Sequence, residues 1–489
     1  MLLGAEKRPR RSFLSKMGKK TSEVLFVAIA LGTAGSSAAP PASWPGFRGP
    51  TADGHAGDVK LPLTWSKTEN VAWVTPIPGQ GWSSPIVWNG RVYLTSAVSG
   101  KPFKQPSPGI YGNDFIAEMQ AQGLSSAEIN RRVRARDNEI PEESGEIRYM
   151  VYALDAATGK VVWEREAFKG LPSGGRHRKN TYASETPVTD GERLYVSFGE
   201  NVGLFCLSLD GEILWKKQWP PQPIYLDFGT GSSPIVRGGR VYVLQDSQVE
   251  SFLTALDAKT GQEIWRTPRT SAVSYKSSWM TPYVWTNSVR TEIVTTGHSM
   301  VRSYDLDGKE LWRLSTPGRV QSTPTPITLG DVLYTGFGAQ DGNASRPIFA
   351  IKAGATGDIS LKTGETSNGF VAWMQPRASP YTPSGMALGN RVYFAHDLGI
   401  MGVYAGDTGL EIYKARLGGV GHTFSASPIS AGNRIYFADE DGVTIVLEAG
   451  DEYKELAHND LGELTLASPA VAGNSLFIRT ESKLYRIGK

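Results

Sequence analysis

The sequence predicts an all-β fold: an eight-bladed β-propeller of four-stranded antiparallel blades, its ring closed by an N-terminal strand, with a partly helical insertion in the first blade. Three observations predict it. One unit recurs eight times, with spacings of 41 to 59 residues from Pro187 onward. Each unit holds four short strand-like segments joined by tight turns rich in Gly and Asn. The two ends of the array are complementary, one short of a strand and the other with a strand to spare. The composition agrees: 40% hydrophobic residues, 55 glycines and 30 prolines suit a globular chain with many turns.

Residues 1–39 read as an export signal. A basic stretch from Lys7 to Lys20 precedes an apolar run from Val24 to Leu31, then small residues to Ala39. The run is too short to span a bilayer, and no other stretch is apolar enough to do so. Arg10-Arg11-Ser12-Phe13-Leu14 resembles a twin-arginine signal; a start at Met17 leaves an ordinary secretory one. Periplasmic or extracellular localisation follows from either. Residues 40–61 form an N-terminal extension, and 62–489 the propeller.

Each unit opens on Ser/Thr-Pro, followed by an apolar pair, a turn and an aromatic strand. The openings are Ser84-Pro85, Thr186-Pro187, Ser233-Pro234, Thr281-Pro282, Thr323-Pro324, Thr382-Pro383, Ser427-Pro428 and Ser468-Pro469. The second half reads strand, Asp, Thr-Gly or Asp-Gly turn, then a strand ending in Trp: Asp155 to Trp163, Asp210 to Trp215, Asp257 to Trp265 and Asp307 to Trp312. Trp373, Tyr413 and Tyr453 take the matching place in later units. The Asp caps its turn, and the Trp packs between blades. The last unit ends after its third strand, Lys483–Ile487, and Asn70–Thr75 supplies the fourth.

The Ala-Leu-Asp-x-x-Thr-Gly-Lys-x-x-x-Trp unit of Ala153–Trp163 resembles the pyrroloquinoline-quinone (PQQ)-like propeller repeat, of the quinoprotein-like superfamily. The opening Trp44-Pro45-Gly46-Phe47-Arg48-Gly49-Pro50 resembles that of exported members of this family. The resemblance implies the fold. It is shared by quinoprotein alcohol and sugar dehydrogenases and by the propeller lipoprotein of outer-membrane protein assembly, so it leaves activity open. Alcohol-oxidising members carry a disulfide of adjacent cysteines against the cofactor, whereas this chain has one cysteine, Cys206.

Topology locates the functional end. Short turns join first to second and third to fourth strands at one face. The other face carries the long loops between second and third strands and between blades, where function usually sits. It also receives the insertion, about 99–147, whose Asn113–Glu139 reads as helical with Ser125 or Ser126 as cap. Its arginines make either a solvated face or a lid. The densest polar loop there, Gly174–Glu185, offers His177, Lys179, Asn180 and Glu185 as a ligand site, against a solvated loop. Further candidates are Asp227, Gln245, Asp246, Arg269, Lys276, Trp279, His298, His396, Asp397 and His422, with an acidic run Asp439–Asp441 in the seventh unit. No HxH, HExxH or EF-hand spacing and no Gly-x-Ser-x-Gly elbow is present, so no metal site and no serine nucleophile is assigned.

Outside the leader, 44 Lys/Arg meet 46 Asp/Glu, a balance that gives nucleic acid no electrostatic footprint. One cysteine excludes intrachain disulfides and Cys-rich clusters. The reading is a monomeric binding or scaffold module, without catalysis of its own, that takes a protein or glycan at its loop-rich face. A PQQ- and calcium-dependent alcohol or sugar dehydrogenase is the alternative, disfavoured by the lone cysteine; no cofactor is predicted. A glycan-acting hydrolase or lyase is the third reading, and it has no local carboxylate-pair motif behind it.

Overall fold

A computed structural model of the chain describes residues 43–100, 118–137, 146–172, 174–199, 202–225, 228–271, 273, 276–315, 323–338 and 346–488. They form eight sheets, each a blade whose strands run antiparallel in chain order. Blade 1 comprises Ile86–Trp88, Arg91–Ser99, Ile147–Asp155 and Val161–Gly170. The first strand of each blade is the inner edge of its sheet, facing the central channel. Blade 8 takes its outer strand from Val71–Pro76, which pairs antiparallel with Lys483–Ile487 (Val74 opposite Tyr485, Thr75 opposite Leu484). That pairing closes the ring and covers two edges that would otherwise invite association.

Local chemistry explains the repeat. Asn89 and Gly90 adopt φ of 47° and 73°, the twin left-handed conformation of a tight hairpin turn. Asp155 Oδ1 accepts from the backbone N–H of Ala157 and Thr158 (3.1 and 2.7 Å) and from the Thr158 hydroxyl (2.8 Å), an Asx turn that fixes the third-to-fourth connection. In every blade the register slips where the outermost strand meets its neighbour. Such a bulge re-aims a side chain, and here it turns the Trp toward the next blade. Trp163 Nε1 donates to Leu209 O (3.0 Å), Trp215 to Ala258 O (3.1 Å) and Trp265 to Leu306 O (3.0 Å). The ring lies flat on a turn glycine: a Cβ on Gly159 would sit 2.5 Å from Trp73, and its φ is +72°, so only glycine serves there.

Blade 4 departs from this rule. Trp312 donates instead to Glu292 Oε2 within its own blade (2.7 Å), and a fifth strand, Gly357–Asp358, pairs parallel to Trp312-Arg313. The long connection between the third and fourth strands of blade 5, residues 353–370, carries this extra strand and takes the place of the short turn on which the ring would have rested.

The Ser/Thr that opens each blade builds a belt around the channel. Ser84 N donates to Thr186 Oγ1 (3.0 Å), Thr186 N to Ser233 Oγ (2.9 Å), Ser233 N to Thr281 Oγ1 (3.2 Å), Thr325 N to Ser384 Oγ (3.0 Å), Ser384 N to Ser427 Oγ (3.0 Å) and Ser427 N to Ser468 Oγ (2.9 Å). This corrects two register expectations. In blade 5 the structural position is Thr325-Pro326, not Thr323-Pro324; in blade 6 it is Ser384-Gly385, not Thr382-Pro383. Tyr453 is likewise not the counterpart of the Trp in blade 7, where Ala457 stands opposite Val446.

The insertion contributes a helix, Ser126–Asp137, started by Ser125, whose Oγ accepts from Glu128 N (3.3 Å). Of the expected Asn113–Glu139, residues 118–121 are helical as well, a turn and loop at 122–125 separate them from this helix, and 113–117 and 138–139 lie outside the described residues. Arg131 and Arg132 are exposed and pair with Glu128, a solvated face.

Residues Trp44–Gly57 run along the channel toward the turn face. Trp44 and Val87 exchange two backbone hydrogen bonds (2.7 and 2.9 Å), and Gly432 N donates to Gly57 O (2.8 Å). Trp44 is fully buried. Arg48 is buried too, with φ of 61°. Its Nη2 donates to Asp53 O (2.8 Å) and, across the channel, to Gly385 O (2.6 Å). Burial pulls its pKa down to about 10.

Candidate functional site

The loops preceding the eight first strands converge on the channel at the loop face. They enclose a cavity of about 210 Å3 lined by Trp82, His177, Lys179, Asn180, Ser184, Phe228, Gly231, Trp279, Thr323, Tyr381, Thr382, Ser425 and Leu466. Every blade entry contributes at least one residue. The aromatic wall is built by neighbours that fix one another. His177 stands edge-on to Phe228 (centroids 4.6 Å), and Phe228 lies 6.2 Å from Trp279. Trp279 Nε1 donates to Gly229 O (2.7 Å). Asn180 Nδ2 donates to Phe228 O and Thr230 O (2.9 and 2.8 Å), so this amide pins the third blade's entry loop to the second's.

The charge at this mouth is a pair. Lys179 Nζ lies 2.6 Å from Glu440 Oε1, with the carboxylate wholly buried and the ammonium 12% exposed. Ser425 Oγ donates to the same oxygen (2.6 Å). Asp397, also buried, has its pKa raised by burial, while Lys179 and Arg346 oppose the rise. Its Oδ1 is 4.0 Å from Arg346 Nη1. The lysine is therefore charge-paired where it lines the cavity.

The other sequence candidates fall into two further places. Glu185, Gln245 and Asp246 line a chamber of about 40 Å3 between blades 2 and 3. Thr230 Oγ1 donates to Glu185 (2.6 Å), and burial raises that carboxyl's pKa. Arg269 grips Asp246 through two bonds (2.8 and 3.1 Å) and reaches Thr295 Oγ1 (2.5 Å) and Tyr304 OH (3.0 Å). His298 Nε2 is 3.3 Å from Asp246. Burial alone would raise the pKa of Asp246, but Arg269 and His298 outweigh it and hold it low. This network is sealed inside the wall and joins blades 3 and 4. At the rim of blades 6 and 7, His422 Nδ1 meets Asp439 Oδ2 at 2.5 Å. Burial and Arg346 press the pKa of His396 down to about 4. Lys276 is partly exposed and does not line the mouth. Asp227 lies outside the described residues. Trp82, Phe228, Tyr381, Ser425 and Leu466 are mouth residues that the sequence reading did not name, because isolated aromatic and apolar positions resemble core.

PQQ with calcium would ask a particular donor set of this mouth. Cys206, the lone sulfhydryl, is buried in blade 2. The mouth's lysine is already paired, and Asp397 adds negative charge. A tricarboxylate quinone needs unpaired cations, and calcium needs several converging oxygens. Among the described residues, no group of three or more His, Cys, Asp and Glu is arranged to hold a metal. The donor set does not fit the pair.

Residues 144–274 and 229–382 match the family described as outer membrane protein assembly factor BamB. No curated protein matches the sequence. Among solved structures, quinohemoprotein alcohol dehydrogenase ADHIIG from Pseudomonas putida HK5 is 12% identical, with TM-score 0.56 over 91% of this chain and 80% of that one. The quinohemoprotein alcohol dehydrogenase from Comamonas testosteroni is 12% identical, with TM-score 0.55 over 93% and 82%. A europium-containing methanol dehydrogenase is 10% identical, with TM-score 0.54 over 91% and 98%. At such identities these likenesses show fold alone. The chain is an eight-bladed β-propeller, similar over residues 144–382 to the assembly-factor family.

Proposed function

We propose that the protein is an exported binding module that captures a protein ligand at the mouth of its channel. One observation carries the reading: all eight blade entries converge on one concave site with an aromatic wall and a single lysine. Aromatic rings held at fixed angles bind with little entropy to lose, and a few polar groups set orientation. A cavity of about 210 Å3 takes a side chain or one sugar ring, the tip of a larger ligand. The matched family is described as an assembly factor for outer membrane proteins, which favours a protein over a glycan. The basic, apolar leader supports export.

The test is to probe peptide and glycan arrays with the mature chain and with Trp279→Ala and Lys179→Ala. A peptide hit that both substitutions weaken at least tenfold supports the reading. Hits indifferent to both overturn it, and glycan-only hits replace the ligand class. A thermal-shift titration with PQQ plus calcium decides the dehydrogenase alternative: chromophore retained after desalting, with a raised midpoint, would establish a quinone site.

A further inference from the structure

The inner-edge strand of each blade shows one side of its backbone to the channel rather than to a neighbouring strand. Residues Trp44–Gly57 use that property. Besides the Trp44–Val87 pair in blade 1, Thr189 N of blade 2 donates to Pro45 O (2.9 Å). In blade 7, Ser430 N donates to Gly54 O and Ala56 N to Ser430 O (both 2.9 Å). The chain thus augments its own blades 1, 2 and 7. Among the described residues, no backbone group from outside their own sheets pairs with the inner strands of blades 3, 4 and 5, Ile235–Arg237, Tyr283–Thr286 and Ile327–Leu329.

Those strands bound a chamber of about 410 Å3, and Pro45–Asp53 forms its opposite wall. Ile235, Val236 and Val284 give it an apolar lining. Arg237, Thr286, Pro50 and Thr51 are exposed at its turn-face rim.

We propose that this chamber binds an extended, uncharged peptide segment of another chain, added as a strand to the inner edge of blade 3 or 4. A small apolar molecule would fill the space but leave the edge amides unmet. An extended peptide presents donors and acceptors at the strand repeat and apolar side chains on alternate positions. The edge is three to four residues long, which sets the length read. The neighbouring edges, already paired with Trp44–Gly57, show that the channel admits such a strand.

The experiment is calorimetric titration of the mature chain with acetyl-Val-Thr-Val-Thr-amide and with the same peptide N-methylated at both threonines. One site is expected, with the methylated peptide bound at least tenfold more weakly, since each lost amide donor costs about a factor of five to ten. Val236→Trp and Val284→Trp, which fill the chamber, are expected to abolish binding, while Lys179→Ala in the mouth leaves it unchanged. Absence of binding by the unmethylated peptide, equal binding by the methylated one, or binding that survives both bulky substitutions overturns the proposal. Should neither bulky variant fold, the methylation comparison decides alone.

Discussion

At the loop face the channel opens into a mouth to which eight separate loops each give one to four residues. At the turn face a single continuous segment, Trp44–Gly57, enters the same channel and binds its walls by backbone hydrogen bonds. The first end is held by side chains: an aromatic wall, a lysine–glutamate pair and amide pins. The second is held by main chain and by two large buried residues, Trp44 and Arg48. A rigid ring thus supports one end that can vary loop by loop and another that cannot change without repacking. The two ends should separate under mutation: damage at the turn end costs stability and leaves mouth binding unchanged, and damage at the mouth costs binding, with a stability cost only where a buried charge loses its partner.

The largest effect is expected from beginning the chain at residue 79. This removes both the channel segment and the closing strand Val71–Pro76, and exposes the sheet edge of Lys483–Ile487. Cooperative unfolding should be lost, or aggregation should follow, as read by calorimetry and light scattering; a soluble product of equal midpoint would refute closure. Trp44→Ala alone should cost ~3–5 kcal/mol in urea unfolding, the range for emptying a buried large aromatic site, with mouth binding unchanged.

His396 sharpens the comparison through pH. Its folded pKa of about 4 lies below the usual 6.5, so the unfolded chain takes up the proton first. Stability should therefore fall as pH drops from 6.5 to 4, by about 3 kcal/mol across that window. His396→Asn should flatten that part of the pH–stability curve, and an unchanged slope would remove His396 as its source.

Lys179→Ala leaves Glu440 buried without its cation. A cost of ~1–3 kcal/mol is expected in urea unfolding, and Glu440→Gln in the same background should recover part of it. The smallest effect belongs to an exposed turn: Asp155→Ala should cost ~1 kcal/mol, as loss of a cap does, and should leave both ends of the channel intact.

The fold was legible because its signals are local. Asp155, Thr158, Gly159 and Trp163 lie within nine positions and perform one job, so a repeat of them reports a blade. The slips occurred where the signal doubled or degraded. Thr323-Pro324-Thr325-Pro326 offers two starts two residues apart, and Gly385 replaces the proline in blade 6. At blade 7, Tyr453 mimics a Trp position that Ala457 holds. The mouth was half legible. Gly174–Glu185 stood out by polarity, and four of its residues, His177, Lys179, Asn180 and Ser184, line the cavity. Trp82, Phe228 and Tyr381 did not stand out, since only assembly of the ring brings them together. Arg269, Asp246 and His298 drew notice by charge, yet pairing among themselves buries them in the wall.

The most direct test of the mouth is a single affinity. Gly231 lines it with ordinary backbone geometry, and a Cβ there would meet Trp279 only at 3.5 Å. Gly231→Leu should therefore fill the cavity without disturbing the ring. With the peptide identified on the array, the predicted result is at least a hundredfold loss of affinity at an unchanged melting temperature. Undiminished affinity in a folded Gly231→Leu protein would contradict the assignment of the mouth as the binding site.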